Sequence, residues 1–374
     1  YTSSLSSLDL SSFDTSNVID MSKMFLFSNL ENINILNFDT SNVENMKHMF
    51  SHLENIQSGT INLSNFNTQK VTNMNSMFMQ SNTITSLNLN SFDTSNVTDM
   101  SRMFSDCTLL QSIDLSLFDT SSVTTMSSMF RDIDNFQNLD LSSFDTINVL
   151  DMGSMFNDFK TNDPLDLSGF DTSSVTGMIS MFSGAQLLGG LNISSFDTSS
   201  VTSTWGMFSE FKSDGSVLDL KHFDTSQVTN MTQMFSWMSV PLDISTFNTS
   251  NVTYMGNMFK GYNNNLGVNV SSFDTSSVTS MNSMFANYTS LQPLDLSNFT
   301  TNQVTSFYST FGSLSVPSLN LNGWNVSGFV EPSPNQYMHP YGLDGTSNFM
   351  TIFNGTSKIL YCDHPGGILW GQAC

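Results

Sequence analysis

Several sets of side chains recur at fixed spacing along the 374 residues and could carry chemistry. The 25 Met could form a soft-metal site, because thioethers suit copper and similar ions. Their regular spacing favours the other reading, an inward ladder of adaptable side chains filling a repetitive core. A carboxylate follows a recurrent Phe, as in Asp14, Asp39 and Asp93. Stacked, such a column could face calcium or another hard cation. Asn67, Asn248 and Thr300 stand at the same place, so an oxygen acceptor suffices there, as a cap or Asx turn requires.

A second oxygen column runs between paired aliphatic residues: Asp9, Asn34, Asn62, Asn88, Asp114, Asp140, Asp166, Asn192, Asp219, Asp243, Asn269, Asp295 and Asn320. On a strand whose neighbours point inward these side chains point out. They form either a candidate binding face or a hydrogen-bond ladder that keeps neighbouring repeats in register. Candidate N-glycosylation sequons begin at Asn62, Asn96, Asn192, Asn230, Asn248, Asn251, Asn269, Asn287, Asn298, Asn325 and Asn354. A chain this rich in Asn, Ser and Thr yields about that number by chance, so the sequons mark acceptors without proving use. His48 and His52 are spaced to share a helical face, but no third ligand has matching spacing. No nucleophile elbow, phosphate loop or catalytic carboxylate pair is present, so no catalytic, metal or cofactor-binding residues are assigned and the chain reads as non-enzymatic.

The elements that position these groups follow from an internal repeat. The stretch "FDTSSVTTMSSMF" at 118–130 recurs at intervals of 24 to 28 residues, its first Phe falling at Phe13, Phe38, Phe66 and so on to Phe299, with Trp324 in a decayed last copy. With that Phe as position zero, Val always stands at +5 and a second Phe at +12, with Met at +8 and +11 in nearly every copy. The preceding "LDL" has apolar residues two apart, which predicts a short strand with one buried face. Val, Met, Met and Phe at i, i+3, i+6 and i+7 predict a short helix. The "SSFDTS" between them is turn and cap chemistry. The expected fold is therefore an α/β solenoid of about 13 coils of ~26 residues, each a short parallel strand plus a short helix, stacked so that neighbours bury one another's apolar faces. It spans 1–330, and 331–374 is expected to be a C-terminal capping segment with Cys362 and Cys374 as a candidate disulfide.

The unit "LDLSxFDTSxVTxMxxMF" resembles the BspA-like branch of leucine-rich repeats, the 26-residue repeat of bacterial surface proteins. The resemblance implies leucine-rich-repeat-like coils, secretion or surface anchoring, adhesion, and no catalytic residues; only Cys107 lies in the loop where that family often carries a cysteine.

Charge narrows the partners. The net charge of −22 makes the chain a polyanion that nucleic acid and anionic membranes repel. No apolar run is long enough for a transmembrane segment. The expectation is an extracellular or cell-surface repeat protein, structural or adhesive, whose partner is a protein or glycan on a surface. One alternative is a subunit of a glycosylated filament, joined end to end with copies of itself, since Leu5, Leu8 and Leu10 begin in mid-unit unless residues preceding Tyr1 supply a cap. Another is a calcium-dependent binding module.

Overall fold

Each copy of the repeat closes one coil of chain, and within each of two units parallel pairing joins neighbouring coils. The computed structural model describes residues 5–324 and, in the C-terminal segment, the backbone of three two-residue strands. The chain divides into two units, Tyr1–Asp197 and Thr198–Cys374. Regular strand is sparse. The first unit holds β1 (Lys160–Thr161), β2 (Leu165–Asp166), β3 (Gln186–Leu187) and β4 (Leu191–Asn192), with β1 parallel to β3 and β2 parallel to β4. The second holds β5 (Lys212–Ser213), β6 (Leu218–Asp219), β7 (Leu242–Asp243), β8 (Leu294–Asp295) and β9 (Leu319–Asn320). There β6 pairs with β7 and β8 with β9, again in parallel. Beyond them β10 (Leu360–Tyr361) pairs parallel to β9, and β11 (Ile368–Leu369) forms an antiparallel pair with β12 (Gln372–Ala373).

The helix expected in each coil is absent. No described residue is helical, and the segment from +8 to +14 is a ladder of turns. Two observations account for this. In the first unit the N–H groups of Met126, Ser128, Phe130 and Asp132 donate to the carbonyls of Asp151, Gly153, Met155 and Asn157 in the next coil, at 3.0, 2.8, 3.0 and 2.8 Å. The alternate N–H groups of Met129 and Arg131 close local turns onto Met126 and Ser128, three residues back. The second unit repeats this: Met255, Asn257, Phe259 and Gly261 donate to the next coil while Met258, Lys260 and Tyr262 turn back locally.

The backbone dihedrals agree. In all twelve full copies the residues at +10 and +14 have positive φ, for example Ser128 at 57° and Asp132 at 53°. A left-handed residue every fourth position cannot lie in a right-handed helix, where every φ is negative. Expectation and observation share a spacing, because a turn ladder that buries one residue per turn repeats nearly as a helix does. Periodicity alone could not tell them apart.

The core runs through each unit as columns. Val at +5, Met at +8 and +11, and Phe at +12 are fully enclosed in the interior coils, as at Val123, Met126, Met129 and Phe130. The second Phe rings stack coil on coil: Phe104, Phe130 and Phe156 lie 5.8 Å apart, and in the second unit Phe235, Phe259 and Phe285 lie 5.7 and 5.5 Å apart. Trp324 takes the place of the first Phe, stacking 6.3 Å from Phe299 and donating its indole N–H to the Leu296 carbonyl at 2.9 Å. In the first coil Leu5 and Leu8 are exposed, whereas Leu10 is buried.

Candidate functional site

A chain that turns this often leaves many backbone N–H groups without a helical or sheet partner, and each needs an acceptor. The oxygen columns supply it. In the outward column, every acceptor oxygen from Asp9 to Asn320 takes the N–H of the residue two positions on, as in Ser116 to Asp114 at 3.0 Å and Ser271 to Asn269 at 3.1 Å. These are Asx turns. Eleven of the thirteen side chains are exposed, with Asp243 and Asn320 half-buried. The column therefore points outward, and its hydrogen bonds close turns within each coil. Where the residue two on is Ser, its hydroxyl and N–H hold the carboxyls of Asp9, Asp114 and Asp140 below the ordinary aspartate range. At Asp243 the Lys221 ammonium, 2.6 Å away, is the leading cause of the same shift.

The Asp that follows the first Phe behaves alike. Asp14 accepts from the N–H and hydroxyl of Ser16 at 3.0 and 2.7 Å, and Asp119 from those of Ser121 at 3.0 and 2.6 Å. A third such column, absent from the sequence reading, lies at +7: Asp20, Asn45, Asn73 and Asp99 accept the N–H at +9, and their backbones bridge in parallel from coil to coil.

The sequence reading missed a column that is more constant still. Thr stands at +2 in all twelve copies, and every one is buried. The hydroxyl of Thr94 donates to the Asp119 carbonyl of the next coil at 2.9 Å and accepts the Asp119 N–H at 2.9 Å. Thr68 treats Asp93 the same way at 2.8 and 2.8 Å. This hydroxyl ladder ties one coil to the next alongside the backbone bonds of the turn ladder. Its invariance within the chain was the available signal. A further core column at +15 escaped notice because its residues vary, from Cys107 and Phe159 to Tyr262 and Tyr288.

Other candidates sort by environment. Apart from Met24 in the first coil, which is exposed, the Met ladder is inside, so its thioethers face other core side chains. Among the described residues no group of three or more His, Cys, Asp and Glu could hold a metal. His48 and His52 occupy the two positive-φ positions of one coil; burial lowers both imidazoles, and His52 packs 4.0 Å from the Phe27 ring. Cys107 is a buried free thiol whose pKa desolvation pushes up to about 12. Cys362 and Cys374 lie outside the described residues, as do Asn325 and Asn354.

Of the remaining sequons, Asn62, Asn192, Asn230, Asn248 and Asn269 engage through Oδ1, closing turns. Asn96, Asn251 and Asn298 donate Nδ2 to carbonyls of the preceding coil at 2.8, 2.7 and 2.9 Å. An N-linked glycan would be attached at that nitrogen and would compete with those bonds. Asn287 is exposed, with φ 57°. No helix among the described residues is long and apolar enough to cross a membrane.

Comparison with protein-family models gives four tandem matches, at residues 2–86, 79–166, 157–240 and 237–336, to a family described as "Mycoplasma protein of unknown function, DUF285". Comparison with curated proteins and with solved structures gives no match.

Proposed function

This chain belongs to the DUF285 family, a repeat family of unknown function, and on that premise we propose that it is a non-enzymatic component of the cell exterior, structural or adhesive, that works by presenting surface. One observation carries the reading. The residues constant from copy to copy are consumed by the architecture: Val, Met and Phe by the core, Thr by coil-to-coil hydrogen bonds, Asp by turn closure. Outside the buried +15 column, much of what varies is exposed, and in a repeat protein the variable outward positions are where partners are distinguished.

Two further features support it. The repeat unit is similar to the BspA-like repeats of bacterial surface proteins, a likeness that also favours secretion. The recurrent carboxylates, the most obvious reactive groups, are held by their own chain's N–H and Ser hydroxyl groups. The partner class is a protein or glycan on a surface.

Labelling intact cells of the native source with a membrane-impermeant amine reagent tests the proposal. The protein is expected among the labelled species and is expected to be removed by brief protease treatment of whole cells. Labelling that appears only after lysis would contradict it.

A further inference from the structure

In the second unit, the +7 and +9 positions of five successive coils form one continuous strip. The backbones of Ser203, Asn230, Tyr254, Ser280 and Ser306 bridge in parallel, one to the next. The +9 residues beside them are Trp205, Thr232, Gly256, Asn282 and Tyr308. Asn282 stitches the two rows together: its Oδ1 accepts the Ser306 hydroxyl at 2.5 Å and the Tyr308 N–H at 3.0 Å.

Two properties set the strip apart. None of its ten residues is charged, in a chain with 32 Asp and Glu. It also carries a large exposed aromatic on every second coil: Trp205, Tyr254 and Tyr308, with 43, 53 and 41% of their surface accessible. The same two rows in the first unit hold Asp20, Lys47, Asp99 and Asp151 and no aromatic residue. Burial does not require these rings, since other coils place Ser, Asn or Gly at the same positions.

We propose that this strip binds a neutral, extended polysaccharide of β-linked hexoses, with Trp205, Tyr254 and Tyr308 as stacking platforms and the intervening amides and hydroxyls as hydrogen-bond partners. It rests on the reading of the protein as a binding surface. Sugar rings offer C–H faces that stack on aromatic rings and hydroxyls that pair with amides, and neutrality matches neutrality. A single-stranded nucleic acid would also stack, but a polyanion repels it. A protein partner would want contiguous apolar area, whereas here polar coils separate the rings.

Spacing agrees. Along the stacking direction, coils two apart are separated by about 10 Å at the inter-strand distance, with Tyr254 in the +7 row and Trp205 and Tyr308 in the +9 row, and an extended β-linked hexose chain presents the same face at alternate sugars. Trp205 is held in place before any ligand arrives, because its indole N–H donates to Gln233 Oε1 at 3.1 Å. That lowers the ordering cost of binding.

Titration of the full chain with cellohexaose and chitohexaose, followed by calorimetry, tests this. Binding is expected for at least one of them, weakened about tenfold by each of Trp205→Ala, Tyr254→Ala and Tyr308→Ala and abolished by the triple variant. Trp237→Ala, which removes an equally exposed ring outside the strip, is expected to bind as wild type. The α-linked maltohexaose is expected not to bind. The conservative Trp205→Phe guards against misfolding: it is expected to keep binding but lose the ligand-induced change in tryptophan fluorescence. No binding of either hexaose at millimolar concentration, undiminished binding by the triple variant, or equal binding of maltohexaose would overturn the proposal. Failure here with surface labelling intact sinks the strip alone, whereas labelling only after lysis sinks the surface reading whatever the strip binds.

Discussion

The Thr94 hydroxyl serves two backbone groups of the next coil at once, so its removal leaves both unpaired in a buried place. Thr94→Val, which keeps the shape and loses the oxygen, is expected to cost ~2–4 kcal/mol. Thr94→Ser keeps the oxygen and is expected to cost ~1 kcal/mol for the lost methyl. Chemical denaturation of the two variants checks this, and equal losses would show that the hydroxyl ladder does not hold the coils together. Carboxylates make a second residue-scale test. The Ser121 hydroxyl holds Asp119 below the usual aspartate value, while burial, aided by Asp106 and Asp158, raises Asp132 above it. In an NMR titration Asp119 is therefore expected to protonate below, and Asp132 above, the unfolded value of about 3.9. The signs differ in consequence. The depressed group adds stability that is present above the unfolded value and lost as pH falls through its folded value. The raised one opposes folding at neutral pH, and that penalty disappears on acidification. Indistinguishable titrations of the two groups would contradict the turn geometry. The Asp columns were legible as oxygen acceptors because Asn67, Asn248 and Thr300 share the position with Asp. The Thr was equally visible but reads as ordinary turn chemistry until the next coil is in place.

At the scale of the element, the turn ladder makes the opposite prediction from a helix at Ser154, where φ is 55°. A left-handed non-Gly residue costs ~1–2 kcal/mol, which Gly largely avoids at some cost in unfolded-state entropy. Ser154→Gly is thus expected to be more stable than Ser154→Ala by ~1 kcal/mol. In a helix Ala would win by about that much. Thermal melts of the pair decide, and a more stable Ala variant would restore the helix. The sequence held a clue to this element that hydrophobic periodicity hides. The +10 and +14 positions are mostly Ser, Asn, Asp, Gly, Gln and His, with Lys23, Phe27, Arg102, Glu210 and Trp237 besides, but hold no Val, Ile or Thr, although Thr is plentiful elsewhere in the repeat. β-Branched residues are the ones least able to take positive φ. The strand expected at "LDL" fared better: Leu165–Asp166 and Leu218–Asp219 do pair in parallel with the next coil, though over only two residues. The short pairing follows from Asx closure immediately afterwards, which turns the chain away.

The whole molecule is a polyanion assembled from nearest-neighbour contacts. Each coil is held by the one before and the one after within its unit, so damage to one coil is expected to weaken its neighbours first. The repeat, its copy number and the inward Val, Met and Phe columns were legible from the chain because the same interaction is written many times over. The division at Asp197 and Thr198 was not, since the repeat runs through it without a break in pattern. The acidic balance has a physical origin in the turns, where oxygen acceptors are needed at three positions per coil and Asp often fills them. The central claim is that invariant residues build a helix-free coil and leave its outward positions to function. Far-ultraviolet circular dichroism of the full chain tests the structural half of it most directly. The predicted spectrum is that of turns and short strands, without the double minimum of α-helix; a pronounced helical double minimum would contradict the account.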